Sequence, residues 1–177
     1  MSVHSLDIGD IIDSIHRLVK SDAFIKANSH LTSSDICNLL QSPPVWPHSP
    51  VFSPFATTHH GYSQIKIRGV KYLLHRVAYA LIDQNFDPTR DVSHTLYLGD
   101  YTTSNFNPLY LIQEDNEVNQ SRKLCFLFME QRAWNYTVGL TTPQWGPCDL
   151  YRHTYSMMAM CRQIHRHKPC TFDVHYL

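Results

Sequence analysis

Two residues whose side chains support hydrolytic chemistry, His94 and Asn119, stand in the central part of the chain. His94 lies in the strand-like alternation of residues 92–96, and Asn119 lies in residues 114–123, which contain few helix breakers and run from acidic to basic. A hard cation such as Mg²⁺ can take one amide oxygen from a protein and fill its other positions with water or phosphate oxygens. A nearby imidazole takes a proton from the attacking water. A histidine on a strand and an asparagine on a helix occur together in most proteins, but this pair allows a metal-assisted hydrolytic site.

A second set of chemically active residues lies near the C-terminus. Four of the five cysteines fall in the last 53 residues, together with four of the 12 histidines. In a reducing compartment, this clustering of cysteines with histidines indicates metal ligation rather than a disulfide framework.

Length and composition favour one domain with extensions. A chain of 177 residues with 43% hydrophobic residues can bury one core but is too short for two full enzyme domains. No segment approaches the ~20 consecutive apolar residues of a membrane helix, and residues 1–10 lack the pattern of a signal sequence, so we expect an intracellular protein without a membrane partner. The net charge is zero, but residues 122–177 carry seven Lys or Arg against three Asp or Glu. The C-terminal third is therefore the basic end of the chain.

Hydrophobic periodicity predicts the elements of the N-terminal third. Apolar residues at helical spacing predict an amphipathic helix over residues 6–19. Thr32 or Ser33 is a candidate N-cap for a second helix over residues 35–40. Residues 41–55 contain five prolines and predict an irregular connector.

The elements that must position His94 and Asn119 follow this connector. Residues 63–68 alternate polar and apolar side chains, which predicts a strand with one mostly cationic face. A turn at Gly69 then leads to a helix that ends near Ile82. The strand that carries His94, a polar loop and a short strand over residues 109–111 precede the helix of Asn119.

The order and spacing of these residues resemble the HNH/His-Cys box pattern of group I intron homing endonucleases, which belong to the His-Me (ββα-metal) superfamily. The resemblance covers residues 61–125. The matching residues are Gly61, Tyr62, Ile65, Gly69, Tyr72, Leu73, Leu74, His75, Arg76, Ala78, Ser93, His94, Asn107, Pro108, Leu109, Tyr110, Leu111, Glu114, Asn119, Arg122 and Cys125.

The resemblance implies an α+β fold with a ββα-metal nuclease core over residues 61–130. Residues 1–60 are then an N-terminal helical region with a proline-rich connector, and residues 131–177 are a zinc-binding extension and tail. His94 matches the family's general base, and Asn119 matches its Mg²⁺-binding asparagine. The strand over residues 63–68 falls where the family lays a β-ribbon into the major groove. The candidate DNA-binding residues are Gln64, Lys66, Arg68, Lys71, Arg76, Arg122 and Lys123.

The resemblance also implies one structural Zn²⁺ per chain. Its expected ligands are Cys125, Cys161, His165 and Cys170, with His167 as the alternative to His165 and with Cys148 and His153 as further alternatives. The family's first zinc site has no matching ligands, since Tyr97, Ser104 or Asn105, and Tyr110 stand near those places, so we expect aromatic and polar packing there. Tyr62 and Ser63 stand where the family has an arginine that contacts the scissile phosphate, with His59 or His60 as possible substitutes.

These observations lead to the hypothesis of a sequence-specific DNA endonuclease that hydrolyses phosphodiester bonds with one divalent metal. We expect double-stranded DNA as the partner, a homodimer that reads a symmetric site, and a nuclear location. One alternative is a catalytically silent DNA-binding module that contains zinc. The other is a nonspecific HNH nuclease, which shares His94 and Asn119 but has no preferred cleavage site.

Overall fold

The computed structural model describes residues 6–55, 58, 61–96, 98 and 101–120. These residues form an α+β fold with five helices and two small antiparallel β-hairpins, which confirms the predicted class. The elements are α1 (Ile8–Val19), α2 (Asp22–Ala27), α3 (Ser33–Leu39), β1 (Gln64–Ile67), β2 (Val70–Leu73), α4 (Leu74–Ala80), β3 (Asp91–His94), β4 (Leu111–Glu114) and α5 (116–120). None of these helices is long and apolar enough to cross a membrane.

Helix α1 forms because its start is capped and one of its faces is apolar. The side chain of Asp7 accepts a hydrogen bond of 2.6 Å from the backbone N–H of Gly9. Ile11, Ile15 and Leu18 are buried on the face that packs against the core. The predicted amphipathic helix is therefore confirmed.

Helix α3 begins with a capping box. The Thr32 side chain accepts from the backbone N–H of Asp35, and the Asp35 carboxylate accepts from the backbone N–H of Thr32 at 2.9 Å. The second predicted helix and one of its two candidate caps are thus confirmed. The six residues of α2 gave no periodic signal, because Phe24 is the one residue that this helix buries.

The proline-rich connector is irregular, as predicted, and it is tied to both ends of the fold. Asn28 donates from Nδ2 to the carbonyl oxygen of Phe52 at 2.8 Å and accepts at Oδ1 from the backbone N–H of Phe52 at 2.7 Å. Trp46 packs edge-on against Phe106, with ring centres 5.8 Å apart. The connector therefore links the N-terminal helices to the loop between β3 and β4.

The first hairpin pairs β1 with β2 through a two-residue turn. Arg68 and Gly69 have φ values of 47° and 85°, the positive values that a type I′ turn requires at both central positions. Ile65 and Ile67 point into the core. The predicted strand is confirmed, but it ends at Ile67, so Arg68 belongs to the turn.

The second hairpin pairs β3 with β4, and His94 lies opposite Leu111. The short strand predicted over residues 109–111 begins only at Leu111. The reason is that Asn107 caps a 3₁₀ turn over Pro108–Tyr110, where its side chain accepts from the backbone N–H of the second turn residue.

Helix α5 follows β4 after a single residue. The backbone N–H of Asn119 donates to the carbonyl oxygen of Asp115 at 3.0 Å, which closes the first helical turn. The helix begins two residues later than predicted, because Glu114 is still paired in β4. Two antiparallel strands and a helix thus follow one another in the chain, and α4 packs against both strands.

Candidate functional site

His94 is the last residue of β3, and only 6% of its surface is exposed. Its ring nitrogen Nε2 lies 2.9 Å from the carbonyl oxygen of Asn105. Because a carbonyl oxygen only accepts, Nε2 carries the proton of the neutral ring, and Nδ1 holds the lone pair. Nδ1 has no hydrogen-bond partner among the described residues. The loop that follows β3 therefore orients His94 as a proton acceptor.

Two further rings surround His94. His75 of α4 lies 5.0 Å from it between ring centres, and Tyr62 stacks on it at 6.0 Å. Tyr62 and His75 are themselves 5.1 Å apart. The three rings come together because α4 begins directly after β2 and packs against β3.

Burial keeps both histidines neutral. It lowers the pKa of His94 to about 4, although the hydrogen bond to Asn105 acts in the opposite direction. Burial also lowers the pKa of His75 well below its usual value, and the positive charges that His94 and Arg76 can carry lower it further. A neutral imidazole can accept a proton, so His94 is in the correct protonation state for a base at neutral pH.

Asp91, at the start of β3, holds the two asparagines of α5. Its Oδ2 accepts from Nδ2 of Asn116 at 3.0 Å and from Nδ2 of Asn119 at 2.8 Å. A carboxylate can accept these bonds but an amide oxygen cannot donate them, so both amide nitrogens face Asp91. The amide oxygen of Asn119 therefore points away from Asp91, and an amide oxygen is a ligand type that hard divalent cations accept.

Asn119 and His94 are not joined by a hydrogen bond in the part of the chain that the structure describes. Asn119 is bonded to the first residue of β3 and His94 is the last, so their anchor points are about 10 Å apart along the strand. Tyr62 is close to both His94 and Asp91. It stacks on His94, while burial and the negative charge of Asp91 raise the pKa of its phenol.

The loop between β3 and β4 is held by buried polar side chains. Asn105 accepts at Oδ1 from the backbone N–H groups of Val51 at 3.0 Å and Asn107 at 3.2 Å. Asn107 donates from Nδ2 to the carbonyl oxygens of Pro47 and Ser49, both at 2.7 Å.

Tyr110 also contributes to this packing, since its hydroxyl donates to the carbonyl oxygen of His48. Two of the positions considered for the first zinc site, Asn105 and Tyr110, thus make polar packing contacts with the connector. Ser104 is half-buried and its hydroxyl donates to the carbonyl oxygen of Tyr101, and Tyr97 lies outside the described residues.

The candidate DNA-binding residues of the first hairpin are placed in different ways. Lys66 and Lys71 lie directly opposite each other and are exposed, and Gln64 is half-buried on the same strand pair. Arg68 lies in the turn, where its Nε is 2.8 Å from a carboxylate oxygen of Asp10. The two lysines have no ion pair with any described residue.

Arg76, also a candidate for DNA contact, is half-buried, and its guanidinium is held by backbone carbonyl groups. Its guanidinium donates to the carbonyl oxygens of Arg90 at 2.9 Å and Pro88 at 2.8 Å, and it lies 5.7 Å from the ring centre of Phe86. These contacts hold the segment that leads into β3.

The proposed zinc ligands Cys125, Cys161, His165 and Cys170 lie outside the described residues, as do the alternatives His167, Cys148 and His153. The same holds for Arg122, Lys123, His59 and His60. Within the described part of the chain, no three His, Cys, Asp or Glu side chains cluster closely enough to bind a metal ion.

Sequence reasoning missed Asp91, and it named Asn105 only as a residue of expected polar packing, without its contact with His94. Both lie within three residues of other candidates, but they are recognisable only from contacts with distant segments, β3 with α5 and the loop with the connector.

Comparison of the chain with protein-family models, curated proteins and solved structures finds no match.

Proposed function

We propose that the chain is a metal-dependent DNA endonuclease in which His94 is the general base and Asn119 binds the metal. The single observation that carries the proposal is the hairpin and helix formed by β3, β4 and α5. They present a neutral, carbonyl-anchored imidazole and an amide with an outward oxygen at the two ends of one strand. These ends are about 10 Å apart along the strand, and Tyr62 is near both of them, since it stacks on His94 and is affected by the charge of Asp91.

His94 supplies a proton acceptor that is already neutral. Its Nε2 donates to the Asn105 carbonyl, so the ring cannot rotate freely, and Nδ1 can take the proton of the attacking water. Its low pKa also means that no proton has to leave the ring before the reaction at neutral pH. The contacts with His75 and Tyr62 exclude bulk water from one side of the ring.

Asn119 supplies the protein oxygen for Mg²⁺. When bound, the cation would stabilise negative charge on the phosphate and on the leaving oxygen. Asn119 is half-buried on the first turn of α5, and Asp91 fixes its amide. A hard cation with few protein ligands is consistent with one amide oxygen and a nearby carboxylate.

The first hairpin is the proposed DNA-binding surface. Lys66 and Lys71 are opposite each other, and like charges in that position destabilise a strand pair. A cost of this kind is offset when both ammonium groups contact phosphates. Gln64 lies two residues before Lys66 on the same face of β1 and is a candidate for base contacts.

Zn²⁺ binding by Cys125, Cys161, His165 and Cys170 remains part of the proposal, with His167 as the alternative histidine. We also propose sequence-specific cleavage by a homodimer, because one hairpin reads too few base pairs to specify a site in a genome. Elemental analysis tests the zinc, with one equivalent per chain expected. Preferred fragments from long genomic DNA would separate a specific enzyme from a nonspecific HNH nuclease.

The experiment that tests the proposed function is plasmid nicking by the full chain with Mg²⁺ or with EDTA. We expect nicking with Mg²⁺ alone, and its loss in His94→Ala and in Asn119→Ala. His16→Ala is the matched control, because His16 also bonds a carbonyl oxygen through Nε2 but lies on α1, in the N-terminal helical region. Nicking that survives both site substitutions would contradict the assignment of His94 and Asn119.

A second candidate function is a silent DNA-binding module. The observation that favours it is the ring of Tyr62, which stacks on His94 at the place where the resemblance implies an arginine. His94 is also nearly inaccessible, at 6% exposure. This candidate predicts DNA binding that Lys66→Ala weakens, with no nicking under any divalent metal.

A further inference from the structure

Asp91 joins both asparagines of α5 through one oxygen atom. Asn116 and Asn119 are three positions apart and therefore share a helix face, and each donates its amide N–H to Asp91 Oδ2. An acceptor that binds two donors restricts the orientation of both amide groups. Neither the spacing nor the resemblance assigns any role to Asp91.

We propose that Asp91 is the positioning residue that turns the amide oxygen of Asn119 toward a divalent cation. This inference rests on the proposed function, and it assigns to Asp91 the orientation of the amide oxygen that binds the cation. The two ends of an asparagine amide have nearly the same shape, so hydrogen bonding decides which end faces outward. Without a carboxylate at position 91, the amide can rotate and present its NH₂ group, which repels a cation.

The carboxylate has a second effect through its charge. A hydrogen bond from an amide N–H to a carboxylate increases the negative charge on the amide oxygen, as in other outer-shell contacts around metal ligands. The charge of Asp91 reaches the surrounding site, since it contributes to the raised pKa of Tyr62. Asp91 thus orients Asn119 and strengthens its oxygen as a ligand.

Asp91→Asn is the informative substitution. It keeps the size of the side chain but replaces one carboxylate oxygen by an NH₂ group, so either end of Asn119 can face the new residue. Asp115→Asn is the matched control, because Asp115 is also an aspartate beside α5 but is exposed and pairs with Arg90. Thermal unfolding of each variant establishes that equal amounts of folded protein are compared.

The test measures the affinity of the full chain for Mn²⁺ in the absence of DNA. Electron paramagnetic resonance gives the concentration of free Mn²⁺ during the titration. We expect Asp91→Asn to weaken Mn²⁺ binding by about tenfold or more, the range for loss of an outer-shell partner of a metal ligand. Asn119→Ala should weaken it at least as much, and Asp115→Asn should stay within about twofold of the native chain. Equal affinity in Asp91→Asn and the native chain, or no saturable Mn²⁺ binding by the native chain, would overturn the inference.

A second readout follows the amide of Asn119 directly. In an NMR spectrum of ¹⁵N-labelled protein, the side-chain NH₂ signals of Asn119 are identified by their loss in Asn119→Ala. We expect these signals to shift in Asp91→Asn and not in Asp115→Asn. Unchanged signals in Asp91→Asn would show that the hydrogen bond does not form in solution, which also overturns the inference.

The two proposals can fail separately. Mn²⁺ binding that depends on Asp91 and Asn119, in a chain that never nicks DNA, supports the positioning role and contradicts the endonuclease. Nicking that needs His94 and Asn119 but is unchanged in Asp91→Asn, in rate and in its dependence on Mg²⁺ concentration, supports the endonuclease and contradicts the positioning role.

Discussion

The imidazoles of His75 and His94 lie 5.0 Å apart between ring centres, and both rings are buried. Each interacts with a backbone carbonyl, His75 with that of Val92 and His94 with that of Asn105. Burial disfavours a proton on either ring, and protonation of both would place two buried positive charges side by side. The pair therefore couples the stability of the fold to pH.

The first prediction concerns stability in acid. The pKa of each histidine is lower in the folded chain than the usual value of 6.5, and that of His94 is about 4. Below pH 6.5 these two histidines bind protons in the unfolded chain but not in the folded chain, so the free energy of unfolding falls as the pH falls. Each histidine contributes up to about 1.4 kcal/mol per pH unit to the slope of the unfolding free energy against pH. His94 alone lowers the unfolding free energy by roughly 3 kcal/mol between its unfolded pKa of 6.5 and its folded pKa of about 4.

Urea unfolding at several values between pH 7.5 and pH 4.5 measures this slope. His94→Gln removes one titrating group, so the difference between its stability and that of the native chain should shrink as the pH falls. A slope that is the same in His94→Gln and in the native chain would contradict the assignment of a depressed pKa to His94.

The second prediction separates two roles of Arg76. Its guanidinium donates to two backbone carbonyls and lies over Phe86, so Arg76→Ala should lower the free energy of unfolding by about 1 to 3 kcal/mol. Arg76→Lys keeps the charge but cannot make both bonds in the same geometry, so it should lose a large part of the same stability. Urea unfolding measures both variants. A DNA-contact role predicts the opposite pattern, with unchanged stability and weaker DNA binding in Arg76→Ala.

The third prediction concerns Asn105. Its side chain accepts from two backbone N–H groups in a fully buried position, and its carbonyl oxygen accepts from His94. Asn105→Ala leaves both donors without this partner, so we expect a loss of about 2 to 4 kcal/mol of unfolding free energy. Asn105→Asp keeps an acceptor of the same size and should retain more stability. Denaturant unfolding of the two variants gives the comparison, and equal stability of Asn105→Ala and the native chain would contradict it.

The elements with local signals could be predicted from the sequence. The apolar face of α1, the capping residue Thr32 and the alternation around Ile65 each depend on residues a few positions apart. The strand of His94 and the helix of Asn119 were also found, because alternation and the absence of breakers are local properties. The starts of β4 and of α5 each lie two residues later than predicted, because the cap formed by Asn107 and the strand pairing of Glu114 are contacts that periodicity does not encode.

The parts of the site that could not be predicted depend on contacts between distant segments. Asp91 meets Asn119 across 28 positions, and nothing near Asp91 distinguishes it from an ordinary surface aspartate. Arg76 is the converse case: it was predicted to contact DNA, and in the structure its guanidinium donates to two backbone carbonyl oxygens. In both cases the chain topology brings β3 against α4 and α5, and this determines which groups the charged side chains of Asp91 and Arg76 contact.

The last prediction separates the stability of the first hairpin from its interaction with DNA. Lys66→Glu places opposite charges at Lys66 and Lys71, which face each other, so the free energy of unfolding should rise by about 0.2 to 1 kcal/mol. DNA binding should weaken because a cation that contacts phosphate has become an anion. The slope of log affinity against log salt concentration should become shallower by about 0.9 for each phosphate contact that is lost.

Lys26→Glu is the matched control, since it makes the same change of charge at an exposed position on α2. We expect its salt slope to stay close to that of the native chain. Filter binding of a DNA duplex at several salt concentrations and urea unfolding provide the two readouts. If Lys66→Glu and Lys26→Glu weaken DNA binding equally, only net charge matters and the hairpin is not the DNA-binding surface. If Lys66→Glu alone loses affinity while it gains stability, the two opposed lysines are retained for binding at a cost to the fold.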